Sequence, residues 1–175
     1  MGVKILFLDC DGVLNTEFSE SRFGRYLGCD DDKLERLKKI VDETGAKIVV
    51  SSTWRLDITR KGCWIDGIYQ YLLDNLKRYG LEVFDITPDL SRNGGLRGKE
   101  INTWLETHKD LDVESWVVLD DEWFWDFAYP EYQIRRHLVE TSFYMRNGGL
   151  QDEHVDEAIF ILNGGSSYDY NRGEN

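Results

Sequence analysis

Two aspartates separated by one residue stand directly after an apolar segment near the start of the chain. Residues 4–8 predict a buried β-strand, and Asp9 and Asp11 follow it. Side chains alternate along a strand, so both carboxylates would lie on one face while Cys10 points away. Carboxylates this close repel each other unless a cation or a shared proton neutralises them. Gly12 then allows the chain to turn. The pattern indicates a charged site at a strand end, and its structural alternative is a pair of solvated turn aspartates.

Three further segments also place polar side chains at the end of a predicted strand or the start of a predicted helix. They are the strand over residues 46–50, a helical stretch from residue 97, and the strand over residues 116–119. Open parallel sheets carry their active sites at the carboxyl ends of the strands. The polar residues are Ser51, Ser52, Thr53 and Arg55 after the first of these strands, Arg97 and Lys99 in the helix, and Asp120 and Asp121 after the last strand.

The order of these groups resembles the haloacid dehalogenase (HAD) superfamily of phosphohydrolases. In that superfamily, Asp-x-Asp-Gly follows one strand, Ser or Thr follows a second, a Lys or Arg comes next, and an acidic pair follows a later strand. The match spans roughly residues 4 to 121. The segments Ser-Ser-Thr-Trp-Arg and Arg-Gly-Lys-Glu-Ile, and the later Gly149-Leu150 before a helix, further resemble the small HAD domains of multifunctional RNA-repair proteins.

The resemblance implies a role for each carboxylate. Asp9 would attack phosphorus and form an aspartyl-phosphate, a known use of carboxylate nucleophiles. Asp11 would offer its backbone carbonyl to Mg²⁺ and its side chain as general acid, then as general base. Asp9, Asp11, Asp120 and Asp121 would form the metal site, with Asp121 favoured over Asp120 as the direct ligand. Dehalogenases lack the second aspartate of this motif, so Asp11 favours phosphoryl transfer.

The resemblance also implies which residues would contact the phosphate. Ser51 would donate a hydrogen bond to a phosphoryl oxygen, with help from Ser52 or its neighbour. Lys99 is favoured as the cation that stabilises the transferring phosphoryl group, and Arg97 is its close competitor. Arg55 follows the hydroxyl motif directly and is a candidate substrate-phosphate contact; the alternative is an ordinary surface salt bridge.

Charge and aromatic content bear on the substrate. The net charge is −12, from 33 acidic and 21 basic residues, so extended binding along a nucleic-acid duplex is not expected. A nucleotide or oligonucleotide end remains compatible, because one phosphate needs only local cations. Trp54 and residues 123–125 are aromatic positions beside the predicted site, where they would either stack a base or form a satellite hydrophobic cluster.

Strands that alternate with helices predict an α/β fold with a doubly wound parallel sheet and right-handed crossovers. The helices are expected over residues 30–44, from residue 65 to near Gly80, and over residues 98–108 and 152–162; a last strand lies within 134–141. The intervals between the motifs leave room for a minimal cap or none. We expect one HAD-like domain over residues 1–163 and a disordered tail over 164–175. No segment approaches the ~18 apolar residues of a membrane span, which favours a cytoplasmic protein.

The sequence therefore predicts a Mg²⁺-dependent phosphomonoesterase that acts on nucleotide or nucleic-acid terminal phosphates. Alternatives are a small-metabolite phosphatase, a phosphotransferase or mutase with a closing cap, and a non-catalytic protein that binds phosphorylated ligands. The last is disfavoured because no carboxylate of the motif is missing. The oligomeric state stays open.

Overall fold

A computed structural model describes residues 2–62, 65–90 and 96–173 of the chain. Five strands form one parallel sheet in the order β5-β4-β1-β6-β7, which confirms the predicted α/β class. A two-stranded antiparallel hairpin, β2 and β3, stands apart from it. The strands are β1 (Val3–Leu8), β2 (Arg22–Phe23), β3 (Tyr26–Leu27), β4 (Lys47–Val50), β5 (Val83–Ile86), β6 (Val113–Asp120) and β7 (Leu138–Glu140).

Helices cover both faces of the sheet. They are α1 (Asp31–Thr44), α2 (Leu56–Thr59), α3 (Ile68–Arg78), α4 (Arg97–Thr107), α5 (Asp152–Leu162) and α6 (Ser167–Asn171). Short 3₁₀ turns add residues 53–55, 109–111, 125–128, 130–132 and 134–136. The long helices lie where the sequence predicts them. The hairpin and α2 fall outside the predicted strands and helices, because two-residue strands and a four-residue helix are too short to show a hydrophobic period.

The alternation of side chains along β1 divides the core into two layers. Leu6 and Leu8 pack in the layer that contains the apolar faces of α1, α3 and α5. Ile5 and Phe7 pack in the opposite layer with Trp104 of α4. Because β1 is central and buried on both faces, the residues that follow it are held at a rigid strand end.

The segment predicted as a disordered tail is folded over its described part. The helix α6 begins after Ser166, whose hydroxyl accepts a hydrogen bond from the backbone N–H of Asp169. The Ser167 hydroxyl donates to the carbonyl of Arg135 at 2.6 Å, and the rings of Phe160 and Tyr170 lie 5.7 Å apart. These polar and aromatic contacts have no periodic signature in the sequence. Residues 174 and 175 lie outside the described residues.

Among the helices that the structure describes, none combines the length and apolar character needed to cross a lipid bilayer.

Candidate active site

Three carboxylates meet at the carboxyl ends of β1 and β6. Asp9 follows β1, and its backbone N–H donates to the carbonyl of Leu119 in β6 at 3.0 Å. Asp120 ends β6 and Asp121 follows it. One carboxylate oxygen from each of Asp9, Asp120 and Asp121 lies within 4.8 Å of the others. Asp9 and Asp120 are buried and Asp121 is half-buried, so the cluster is open towards solvent on the Asp121 side.

Arg97, at the start of α4, is the cation that contacts this cluster. Its Nη1 lies 2.8 Å from Asp120 Oδ2 and 3.1 Å from Asp9 Oδ1, and its guanidinium packs 4.9 Å from the ring centre of Phe124. Burial by itself would lower the pKa of Arg97, but the carboxylates of Asp120 and Asp9 raise it above its ordinary value. The guanidinium is therefore a permanent charge beside Asp9.

Of the two competing cations, Arg97 and not the favoured Lys99 contacts the carboxylates. Residues 97 and 99 point about 200° apart around a helix, so only one of them can face the strand ends. Arg97 is buried against the carboxylates, whereas Lys99 is exposed. The backbone N–H of Lys99 donates to Asp126 Oδ2 at 2.9 Å, which ties the first turn of α4 to the segment after β6.

Burial changes the proton affinity of both members of the acidic pair. It raises the pKa of Asp120 well above its ordinary value, against the opposing effect of Arg97. Burial and then the charge of Asp9 raise the pKa of Asp121 to about 7.

Gly12 makes room for the Asp121 side chain: it has φ +76°, and a Cβ there would lie 2.1 Å from Asp121 Cγ. Glycine is therefore required at this position on both steric and conformational grounds.

Asp11 is held by two side chains that the sequence did not single out as its partners. Trp54 Nε1 donates to Asp11 Oδ2 at 2.8 Å, and Asn15 Nδ2 donates to Asp11 Oδ1 at 3.0 Å. Burial raises the pKa of Asp11, and both hydrogen bonds oppose the increase. Trp54 is only 2 % exposed, so of its two predicted roles the structure favours packing over stacking of a base. The signals available were the position of Asn15 four residues after Asp11 and of Trp54 after the hydroxyl motif.

The hydroxyl motif begins directly beside the end of β1. The backbone N–H groups of Ser51 and Ser52 both donate to the carbonyl of Leu8, at 3.0 and 3.2 Å. The Ser51 hydroxyl is fully buried and has no hydrogen-bond partner among the described residues. A buried polar group without a partner costs about 1–3 kcal/mol, so Ser51 fits a hydroxyl that a ligand oxygen would satisfy. The Ser52 hydroxyl instead accepts from the backbone N–H of Trp54 at 3.3 Å and caps the following turn.

Comparison with known proteins agrees with this geometry. Residues 5–155 match the family described as the HAD domain in Swiss Army Knife RNA repair proteins. The chain belongs to this family. No curated protein matches this chain. A solved structure from Mesorhizobium loti, described as a candidate HAD-like phosphatase, is 13% identical with a TM-score of 0.56. The alignment covers 92% of this chain and 86% of that one, and at this identity it shows a shared fold.

Arg55 is buried among partners inside this HAD domain, which argues against the predicted contact with the substrate phosphate. Its side chain is 2 % exposed and forms a 2.6 Å ion pair with Glu100 of α4. The same guanidinium donates to four backbone carbonyls, two after β4 and two after β5. All its donor directions are thus used inside the protein. The carbonyls belong to Ser51, Ser52, Thr87 and Pro88.

Of the three aromatic residues at 123–125, one packs at the site and two are exposed at the surface. Phe124 packs on Arg97, whereas Trp123 and Trp125 are 44 % and 56 % exposed. Arg135 lies 4.5 Å from the ring centre of Trp123. Trp123 lines a cavity of about 540 Å³, and Glu140, another lining residue, lies on β7 in register with Asp120 of β6. Other residues around this cavity are Arg135, Glu157, Tyr168 and Asn171.

The carboxylate cluster of the HAD domain fits a hard divalent cation. Mg²⁺ prefers oxygen ligands and is usually bound by one or two carboxylates with substrate phosphate and waters. Asp9, Asp120 and Asp121 offer oxygens close enough to share one ion. Burial, and then the charge of Asp9, raises the pKa of Asp121, and a bound cation would favour its charged form. Both oxygens of Asp120 already accept hydrogen bonds, from Arg97 and from the backbone N–H of Glu122 at 3.1 Å. Asp121 is therefore the better candidate for direct coordination.

Proposed function

We propose that this HAD domain is a Mg²⁺-dependent phosphomonoesterase that acts through an aspartyl-phosphate. The observation that carries the proposal is the arrangement at the end of β1. There the Asp9 carboxylate is held by Arg97 at 3.1 Å, and the Asp11 carboxylate, two residues on, is held by its own pair of hydrogen bonds. The two carboxylates are thus held independently at one rigid strand end, which supports the proposed roles of nucleophile and acid–base group.

The reaction has two steps that use the same two carboxylates. In the first, an Asp9 oxygen forms a bond to phosphorus while the bond from phosphorus to the leaving oxygen breaks, and Asp11 gives its proton to that oxygen. In the second, Asp11 takes a proton from water as the water oxygen bonds to phosphorus and the Asp9–phosphorus bond breaks. The products are an alcohol and inorganic phosphate, and Asp11 is protonated again.

Other residues stabilise the charge that moves during these steps. Arg97 pairs with the Asp9 carboxylate and lies where it can also attract the phosphoryl oxygens. The Ser51 hydroxyl has an unused hydrogen bond to offer a phosphoryl oxygen. Asp9, Asp121, Asp120 and the backbone carbonyl of Asp11 would hold Mg²⁺. When bound, the ion would offset the negative charge of the phosphate.

We further propose that the phosphate is carried by a nucleotide or an oligonucleotide end. Three observations support this: the family is described from RNA repair proteins, Trp123 is exposed two residues after Asp121, and Trp123 lines a cavity of about 540 Å³ that is large enough for a base. Base stacking on an aromatic ring is worth about 1–3 kcal/mol. The net charge of −12 opposes long contacts with a polyanion, so recognition would be limited to a few nucleotides.

The test is a phosphatase assay with Mg²⁺ or EDTA on three substrates: a phosphorylated trinucleotide, a mononucleotide and glucose 6-phosphate. We expect Mg²⁺-dependent turnover and a preference for the nucleotides. Trp123→Ala should lower kcat/KM for the nucleotides by about 5- to 150-fold and leave glucose 6-phosphate unchanged. Trp125→Ala is the matched control, because Trp125 is equally exposed but does not line the cavity.

Two results would contradict the nucleotide assignment and leave the phosphatase assignment standing. One is a clear preference for glucose 6-phosphate. The other is an equal effect of Trp123→Ala on all three substrates. Absence of phosphate release from every ester, with a folded protein and Mg²⁺ present, would instead overturn the phosphatase proposal itself.

A further inference from the structure

We infer that Trp54 and Asn15 form a clamp that orients the Asp11 carboxylate, and that this clamp adapts the site to phosphate esters of alcohols. This inference rests on the proposed function, because it concerns the acid–base group of that reaction. The clamp consists of the Trp54 indole N–H on one oxygen of Asp11 and the Asn15 amide N–H on the other. Trp54 and Asn15 are positioning residues, because they act through Asp11.

Both contacts are well formed, and they leave the carboxyl group able to react. The distances are 2.8 Å to Oδ2 and 3.0 Å to Oδ1, within the usual range for N–H···O bonds. A carboxylate has about four lone-pair directions, so each oxygen of Asp11 retains one for a proton or for the substrate. Asp11 is half-buried, which leaves it reachable from solvent. Two donors on two oxygens fix the plane of the carboxyl group, which a single donor would not do.

The two donors are themselves anchored on separate parts of the fold. Asn15 also donates to the carbonyl of Gly28 at 3.0 Å and accepts from the backbone N–H of Gly12 at 3.1 Å. The Trp54 ring is buried and lies 6.3 Å from the ring of Tyr71 in α3. Rotation of Asp11 would therefore break its hydrogen bonds to two donors that are each held in place by other contacts.

Tyr71 contacts both the clamp and the hairpin β2–β3. The rings of Phe23 and Tyr71 lie 5.0 Å apart, and the Tyr71 hydroxyl accepts from the backbone N–H of Cys29 at 3.0 Å. Tyr71 thus supports the Trp54 ring without itself contacting Asp11. It offers a control position in the same cluster, since loss of its hydroxyl perturbs packing but removes no donor from Asp11.

The chemistry explains why orientation of Asp11 should matter for one class of ester. An alkoxide is a poor leaving group, so the leaving oxygen must receive the Asp11 proton as its bond to phosphorus breaks. A nitrophenolate is stable without that proton. Misalignment of the acid therefore slows alkyl esters much more than nitrophenyl esters, because general acid catalysis contributes about 10²- to 10⁴-fold only where proton transfer is needed. A site in which two buried donors align the acid is suited to phosphate esters of sugar hydroxyls, including those of ribose.

The experiment compares Trp54→Phe with the parent on esters of graded leaving groups. Values of kcat/KM are measured for 4-nitrophenyl phosphate, phenyl phosphate and a nucleoside monophosphate, with unfolding curves recorded for each protein. Phe keeps the aromatic ring and removes the indole N–H. We expect a loss of about ten- to a hundredfold on the nucleoside monophosphate and less than about threefold on 4-nitrophenyl phosphate, as a partial loss of general acid catalysis.

Two further variants keep the inference testable if Trp54→Phe does not fold. Asn15→Asp is isosteric and replaces the second donor to Asp11 by an acceptor, so it should show the same dependence on the leaving group. Tyr71→Phe is the structural control and should lower all three rates alike or leave them unchanged. A leaving-group dependence that appears in both clamp variants and is absent in the control supports the clamp.

An equal loss of kcat/KM on all esters in the clamp variants would overturn the inference, and Trp54 and Asn15 would then have only a structural role. An unchanged rate on the nucleoside monophosphate would overturn it as well. Both outcomes require an active parent protein. A parent that hydrolyses none of the esters would instead overturn the proposed function, so the two failures are distinguishable.

Discussion

Replacing the buried Arg55 by Met should destabilise the HAD domain by about 3–5 kcal/mol, the usual cost of breaking a buried ion pair on one side. The magnitude follows from the burial of both partners: the side chains of Arg55 and Glu100 are 2 % and 5 % exposed, and their charged atoms are 2.6 Å apart. Without Arg55, Glu100 would be left as an uncompensated buried charge. Four backbone carbonyls would also lose a donor.

The assay is urea and thermal unfolding of the Arg55→Met variant and the parent. For a domain of this size, a loss of 1 kcal/mol lowers Tm by about 2–4 °C, so we expect a decrease of roughly 6–20 °C. Lys38→Met is the matched control: Lys38 pairs with Asp42 at 2.7 Å, but both side chains are exposed. Exposed pairs of this kind contribute about 0.3–0.5 kcal/mol, so the control should be nearly neutral.

A double variant separates the destabilisation caused by the unpaired charge from that caused by lost packing. Adding Glu100→Gln to Arg55→Met removes the stranded charge, so the double variant should be more stable than Arg55→Met alone. A loss below about 1 kcal/mol for Arg55→Met, together with a raised KM and unchanged kcat, would refute the reasoning. That result would return Arg55 to a contact with the substrate phosphate.

Three further predictions concern the carboxylates. Asp9→Asn should lower phosphatase turnover by more than about a thousandfold while preserving the unfolding midpoint, and activity within tenfold of the parent would exclude Asp9 as nucleophile. Mg²⁺ at about 100 times its Kd should raise the free energy of unfolding by about 2.7 kcal/mol, and Asp121→Asn should reduce this gain; an unchanged gain would place the ion elsewhere. In EDTA, Asp121 should make the folded protein less stable as pH rises from about 4 to about 7, because its pKa is raised on folding to about 7 and the folded state then binds more protons than the unfolded chain. Urea midpoints across this range should vary less in Asp121→Asn, and parallel curves for the two proteins would contradict the shift.

The part of the fold that the sequence predicts is the part governed by local periodicity. Residues 5–8 are apolar throughout, which is typical of a strand buried on both faces, and β1 indeed lies at the centre of the sheet. The spacing of Asp9 and Asp11 also places both at one strand end. Hairpin β2–β3 and helix α6 were not predicted, because their stability comes from contacts with distant residues and leaves no period in the sequence.

The identity of the site's partners was decided by tertiary structure. Whether Arg97 or Lys99 faces Asp9 depends on the rotation of α4 against the sheet, which residue types alone do not specify. Trp54 reaches Asp11 across 43 positions of sequence, and Arg55 reaches Glu100 across 45. In both cases the side chain is buried and stabilises the site from inside, whereas its position in the sequence would also allow it to be exposed at the surface of the site.

The sequence by itself determined the chemistry available to this HAD domain: an ordered set of acids, hydroxyls and cations at the ends of predicted strands and helices. Tertiary structure determined which of these groups meet and which are used inside the protein. The physical reason is that a strand end is encoded by neighbouring residues, whereas burial and hydrogen-bond partners depend on segments that come together only when the sheet and its helices pack.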